Sequence, residues 1–152
     1  MFRVMKRTIL AILIAIVAAI LIAVFQLMDL ETLISVLETD PIGNVMVLGA
    51  FLFAILTHPY TFLLSSVYMP IAALAAASFI AGLVAKDRMK MLPISIIVLV
   101  IFLIGYIGLA LGSGLSDVST LLTELQSMVI DIGIAWALLF FPGLIGATIT
   151  AE

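Results

Sequence analysis

Charged residues are confined to short stretches of this chain, and the long intervals between them determine what it can fold into. Four intervals contain no Asp, Glu, Lys or Arg, and they are 21, 45, 26 and 20 residues long. An α-helix of about 20 apolar residues crosses the hydrocarbon layer of a bilayer, which is roughly 30 Å thick. Each interval is therefore long enough for at least one transmembrane helix. They are residues 8–28, 41–85, 91–116 and 132–151.

The composition agrees with a membrane location. Of the 152 residues, 66% are hydrophobic and 10% are charged, whereas a soluble domain has about 45–50% apolar and about 25% charged residues. A soluble domain needs more polar surface than this chain can supply. We exclude soluble globular, disordered and nucleic-acid-binding classes. We expect an all-α, polytopic integral membrane helix bundle that forms a single domain over residues 1–152.

The 45-residue interval leaves the number of spans open. Residues 57–61 are its most polar point, and Pro59 disfavours a continuous helix there, so a helical hairpin would give five spans in all. The six basic residues form two clusters, within 3–7 and 86–90, and the positive-inside tendency places both in the cytoplasm. Four spans would satisfy that tendency if part of 41–85 were re-entrant or interfacial. We predict five transmembrane helices, with four as the alternative.

The first span follows three basic residues, as in a signal peptide. No convincing cleavage site with small residues follows it before Asp29. We therefore expect a retained signal anchor. The N-terminus would then be cytoplasmic, and the protein would be a multi-pass protein of the cell (plasma) membrane.

Two acidic stretches, residues 29–40 and 116–127, have the pattern of short amphipathic helices. Apolar side chains recur in each at i, i+3, i+4 and i+7, which places them on one helical face. Such helices suit the membrane interface. Asp40 before Pro41 predicts a capped helix start, and Ser116 is the predicted N-cap of the second stretch. The apolar positions are Leu30, Leu33, Ile34 and Leu37, then Val118, Leu121, Leu122 and Leu125.

A weak internal repeat is suggested by the order of segments. Basic cluster, span, acidic stretch and span occur in residues 3–60 and again in residues 86–143. Few identities support a duplication, and any polytopic protein alternates apolar spans with charged loops. With five spans the two copies would be inverted, which is a common arrangement in transporters.

Two ionisable residues lie in or near the apolar segments. His58 is the only histidine and lies within the 45-residue interval, and Asp131 lies close to the start of the last span. Ionisable groups inside the membrane are costly and often functional, and histidine titrates near neutral pH. Both residues also have structural explanations: a histidine in an interfacial turn beside Pro59, and a carboxylate at the positive end of a helix dipole.

Prolines and small residues indicate helix breaks and close helix packing. We predict helix breaks at Pro59, Pro70 and Pro142. Small side chains allow transmembrane helices to approach closely, either within one chain or between copies. The predicted packing positions are Ala77, Ser78, Gly82, Gly105, Gly108 and Gly112.

No catalytic motif accompanies these features. One histidine and no cysteine cannot form a His/Cys metal site, and we expect no metal, no cofactor and no enzymatic activity. The first functional hypothesis is an accessory or scaffold subunit of a membrane complex, with the lipid bilayer and other membrane subunits or further copies of itself as partners, and no nucleic acid. The alternative is a small oligomeric transporter or channel for an ion or small solute that uses Asp131 and His58.

Overall fold

The computed structural model describes residues 2–27, 29–66, 68–112 and 117–151. Within these residues the chain is helical and contains no strand. The helices are α1 (Phe2–Leu27), α2 (Leu30–Thr39), α3 (Pro41–Thr57), α4 (Pro59–Leu64), α5 (Met69–Ala85), α6 (Arg88–Gly112), α7 (Val118–Ser127) and α8 (Val129–Thr150).

Three of these helices, α1, α6 and α8, are long and apolar enough to cross a membrane. Helices α3 and α5 are apolar, but each has 17 residues, which is less than the ~20 that a full crossing needs. The fold is therefore an all-helical membrane bundle, as the charge-free intervals predict. The count of five spans is not confirmed.

Helices α3 and α5 run in the same direction, which contradicts the predicted hairpin at residues 57–61. Met46 lies against Gly112 and Phe53 against Gly105, so α3 is antiparallel to the C-terminal half of α6. Met91 lies against Gly143, so α8 is also antiparallel to α6. Helix α5 runs parallel to α8, because its contacts move along both helices together: Ser78 bonds to Leu139, and Leu83 bonds to Thr150. Helices α3 and α5 thus lie in line at opposite ends of the bundle.

Both basic clusters lie at the same end of the bundle. One cavity is lined by Arg7 near the start of α1, by residues 85–90 at the junction of α5 and α6, and by Ala151 after α8. A five-span arrangement would place the two clusters on opposite sides. The shared end is compatible with the positive-inside tendency, which an arrangement of five spans would violate.

The centre of the bundle is built on alanine. Every fourth residue of α1 from Ala11 to Ala23 is buried, and so is every fourth residue of α5 from Ala73 to Ala85. Helix α1 packs chiefly on α5, and α5 packs on α8. A row of methyl groups at this spacing forms a smooth helical face, so the helices approach closely and gain dispersion energy in a solvent that supplies no hydrophobic force between them.

The two amphipathic stretches form α2 and α7, as predicted. Asp29 caps α2 by accepting a hydrogen bond from the Thr32 N–H at 2.9 Å, and Asp40 precedes Pro41 and caps α3. The N-cap of α7 is Asp117, which accepts from the Thr120 N–H at 2.8 Å. Ser116, the predicted cap, lies outside the described residues.

Two of the three predicted proline breaks differ in the structure. Pro70 occupies the first turn of α5 and so begins that helix instead of kinking a longer one. Pro142 lies inside α8, which continues on both sides of it. Proline removes a single backbone donor, and transmembrane helices tolerate this because neighbouring groups satisfy the freed carbonyl. Pro59 begins α4 one residue after α3 ends, as the predicted break requires.

The order long helix, ten-residue helix, apolar helix occurs twice, as α1–α2–α3 and as α6–α7–α8. Helices α1 and α6 both begin at the basic end of the bundle. The two sets therefore run in the same direction and are not inverted. Duplication itself stays a prediction.

Candidate functional site

The site is built around the break between α3 and α5. His58 separates α3 from α4, a helix of six residues that begins at Pro59. Ser65 and Ser66 then turn the chain, and Ser66 has a left-handed backbone with φ of 61°. Non-glycine residues adopt that conformation at a cost. The sequence thus interrupts an apolar segment with a proline, a short helix and a turn, and leaves helix ends inside the bundle.

Asp131 holds the start of α4 from another helix. It lies in the first turn of α8 and is 5% exposed. One carboxylate oxygen accepts the backbone N–H of Thr61 at 2.9 Å, and the other accepts the Thr61 hydroxyl at 2.8 Å. The first N–H groups of a helix have no partner within it, so Asp131 serves as an N-terminal cap supplied from 70 residues away.

His58 is held by the end of α3. Its Nδ1 lies 2.6 Å from the Ala54 carbonyl oxygen and 3.2 Å from the Thr57 hydroxyl. A carbonyl only accepts, so Nδ1 carries a proton and donates it to Ala54. In the neutral ring, Nε2 is then the nitrogen without a proton. The imidazole ring also meets the Tyr106 ring edge to face, with the ring centroids 5.7 Å apart.

The Tyr106 side chain contacts both the ring of His58 and the amphipathic helix α7. Its hydroxyl donates to a carboxylate oxygen of Glu124 at 2.7 Å, which joins α6 to α7. We call His58, Thr61, Tyr106, Glu124 and Asp131 the break cluster. It has two arms: Glu124, Tyr106 and His58 form one, and Thr61 and Asp131 form the other.

The two residues that the sequence singled out, His58 and Asp131, belong to different arms of the break cluster. Their polar contacts run to Ala54 and Thr57 for His58 and to Thr61 for Asp131. They share the cluster because Thr61 lies three residues after His58. Thr61, Tyr106 and Glu124 were not predicted. Thr61 is the third residue of a helix that begins at Pro59. Its backbone N–H therefore lacks a partner within the helix, and this could have been inferred from the sequence.

Most predicted packing residues lie in helix contacts. Ala77 and Ser78 are buried, and the Ser78 hydroxyl donates to the Leu139 carbonyl of α8. Gly82 faces the backbone of Gly143, with no room for a side chain between α5 and α8. On α6, Gly105 lies under the Phe53 ring and Gly112 beside Met46, whereas Gly108 is exposed and has nothing within 4 Å of its Cβ position.

The described residues offer no metal centre, since no three His, Cys, Asp or Glu side chains converge among them. The chemistry available is that of one imidazole, one phenol and two carboxylates at a helix break. Such groups can hold or pass a proton or a small cation.

Comparison with known proteins adds no family to this description. No protein-family model matches the chain, and no curated protein or solved structure matches it.

Proposed function

We propose that this protein is a four-crossing membrane transporter or channel for protons or a small monovalent cation. The crossings are α1, α6, α8 and one broken crossing made of α3 and α5. The observation that carries the proposal is Asp131, a carboxylate buried beside the helix break and bonded to Thr61. We expect no enzymatic activity.

The broken crossing supports this proposal. Two short helices that follow one another in the same direction, with the gap inside the bundle, resemble the discontinuous helices at which many transporters bind their ions. The C-terminal end of α3 carries the negative pole of its helix dipole, and its last backbone carbonyl groups point towards the break. Together with Asp131, that end favours a cation over an anion.

The first arm of the break cluster places groups that can carry a proton near the break. Glu124 lies partly buried on the amphipathic helix α7 and accepts the Tyr106 hydroxyl, and the Tyr106 ring meets the His58 ring edge to face. With Nδ1 donating to Ala54, the His58 ring can gain a proton at Nε2 and return it from there. Protonation and release at His58 would bring charge to the break, where Asp131 lies.

Flux through reconstituted liposomes tests the proposal. An imposed pH gradient, or a Na⁺ or K⁺ gradient, should relax faster with the protein than in protein-free liposomes. Asp131→Asn and His58→Ala should each reduce the rate at least tenfold. Asp117→Asn is the matched control, since it removes a carboxylate outside the break cluster and should leave the rate within twofold of the wild type. Absent flux, or flux unchanged in both break variants, would overturn the proposal.

The accessory or scaffold subunit is the second candidate, and Gly108 favours it. Glycine inside a helix costs about 1 kcal/mol relative to alanine, and among the residues that the structure describes no contact requires one at position 108. Close contact with a helix from another subunit or from a second copy would explain why glycine occupies this position. A stoichiometric partner that co-purifies in mild detergent would support this candidate, and a homo-oligomer alone would favour transport.

Orientation follows from the shared basic end. Lysine and arginine residues are enriched in the cytoplasmic loops of membrane proteins. We therefore place the N-terminus, residues 86–90 and Ala151 in the cytoplasm, with α1 acting as a signal anchor in the cell membrane. Helices α2 and α7 then lie at the outer surface.

A further inference from the structure

At the basic end, opposite α2 and α7, a cavity of about 570 Å³ opens between the starts of α1 and α6 and the end of α8. Its lining includes four cationic side chains and one carboxylate, which are Arg7, Lys86, Arg88, Lys90 and Asp87. The break cluster contributes nothing to it. We propose that this cavity binds the phosphate of an anionic phospholipid headgroup.

The position of the cavity relative to the bilayer fits a lipid headgroup. Apolar sequence begins directly after Arg7 in α1 and ends directly before Lys86 in α5. The cavity therefore lies where the hydrocarbon layer meets the polar region of the bilayer. Basic pockets between transmembrane helices on the cytoplasmic side are the sites where anionic lipid headgroups bind.

Charge in the cavity is not cancelled by its own carboxylate. Asp87 accepts the Met89 N–H at 3.0 Å with one oxygen, and its other oxygen lies 3.1 Å from the Lys90 ammonium. Both oxygens are therefore engaged within the linker. Among the described residues, the guanidinium groups of Arg7 and Arg88 make no ion pair. Arginine holds phosphate with two parallel hydrogen bonds, so this pair fits the ligand.

The linker geometry brings these side chains together. Only Lys86 and Asp87 separate α5 from α6. Lys86 adopts a left-handed conformation with φ of 56°, and its N–H closes α5 on the Gly82 carbonyl at 3.1 Å. This sharp reversal aims residues 86–90 back over the start of α1. The site depends on the membrane position of the bundle and is independent of transport.

Lipid-dependent thermal stability tests the site. The purified protein in a neutral detergent is titrated with phosphatidylglycerol, phosphatidylcholine or inorganic phosphate, and the unfolding temperature is followed. Phosphatidylglycerol should raise it in a saturable way, while phosphatidylcholine and millimolar phosphate should not. Equal protection by phosphatidylcholine, or by inorganic phosphate at the same concentration, would overturn the assignment to an anionic lipid.

Matched variants locate the effect. Arg7→Gln with Arg88→Gln should raise the half-saturating lipid concentration at least tenfold. The same pair changed to lysine should retain most of the binding. Lys6→Gln, which removes a neighbouring charge that does not line the cavity, should change it less than twofold. An equal loss in Lys6→Gln would show nonspecific attraction to the basic end and would overturn the proposal.

Discussion

Asp131 and Thr61 are joined by two hydrogen bonds, one to the backbone N–H and one to the hydroxyl. The pair ties α8 to the start of α4 and so fixes the break between α3 and α5. A buried carboxylate left without partners would destabilise the bundle, and an N–H group without a partner in the first turn of α4 would weaken that helix. Each residue therefore supplies the hydrogen-bonding partner that the other needs.

Thr61→Val should destabilise the protein by about 0.6–2 kcal/mol, because valine keeps the shape but removes the hydroxyl donor. Asp131→Leu should cost more, since it also leaves the Thr61 N–H without its acceptor. The double variant should reveal a coupling of about 0.5–3 kcal/mol. Equilibrium unfolding in mixed detergent micelles measures all three.

Thr148→Val serves as the control for this cycle. Thr148 is exposed and bonds only within its own helix, to the Leu144 carbonyl, so its loss should change stability by less than about 0.5 kcal/mol. Additive effects of Thr61→Val and Asp131→Leu would contradict the contact between them.

Asp117 should make the stability of α7 depend on pH. Hydrogen bonds from Thr120 hold the pKa of this exposed carboxyl below its ordinary value of 3.8. A carboxyl with a lowered pKa stabilises the folded state fully above its unfolded pKa, and that contribution disappears as the pH falls through the folded pKa. The protection factors of the α7 amides, which correct for the intrinsic pH dependence of hydrogen exchange, should therefore decrease as the pH falls below about 4.

Asp117→Asn isolates this effect, because asparagine also caps a helix but carries no titrating group. The protection factors of its α7 amides should stay constant over the same pH range. If the wild type and this variant respond to acid equally, Asp117 is not the group responsible.

The sequence predicted the helices better than their directions. Charge-free intervals located the long helices, and Asp40 before Pro41 marked the start of α3, because these signals are local. Pro59 showed where the 45-residue interval breaks but could not show which way the chain continues. That direction is set by the fit of α5 against α1 and α8, a long-range property. One readable signal for that fit was missed: alanine at every fourth position from Ala11 to Ala23, matched by α5 from Ala73 to Ala85.

The break cluster shows the same division. His58 and Asp131 stand out in the sequence because ionisable residues are rare there. Tyr106 and Glu124 do not stand out, since a tyrosine in a span and a glutamate in an amphipathic helix are ordinary. Only the packing of α6 against α7 brings the two side chains together.

Side-specific labelling should place both basic clusters on one side of the membrane. The chain has no cysteine, so single cysteines report without background. Arg3→Cys and Met89→Cys should react with a membrane-impermeant maleimide from the same side, and Ser119→Cys should react from the opposite side. All three positions are exposed. Labelling of Arg3→Cys and Met89→Cys from different sides would contradict the broken crossing and restore the hairpin of five spans.

Gly82 and Gly108 should respond in opposite ways to the same added methyl group. A Cβ on Gly82 would collide with the Gly143 carbonyl and approach the Ala147 nitrogen to 2.9 Å. Both are backbone groups, so α5 and α8 must separate, and Gly82→Ala should cost about 1–3 kcal/mol. Gly108 has open space, so Gly108→Ala should be neutral or stabilise the monomer by up to about 1 kcal/mol through its helix propensity. Thermal unfolding of both variants in the same detergent measures the difference. Because a neighbouring chain would fill the space at Gly108, loss of a complex or oligomer in Gly108→Ala, with monomer stability unchanged, would identify this face of α6 as an interface.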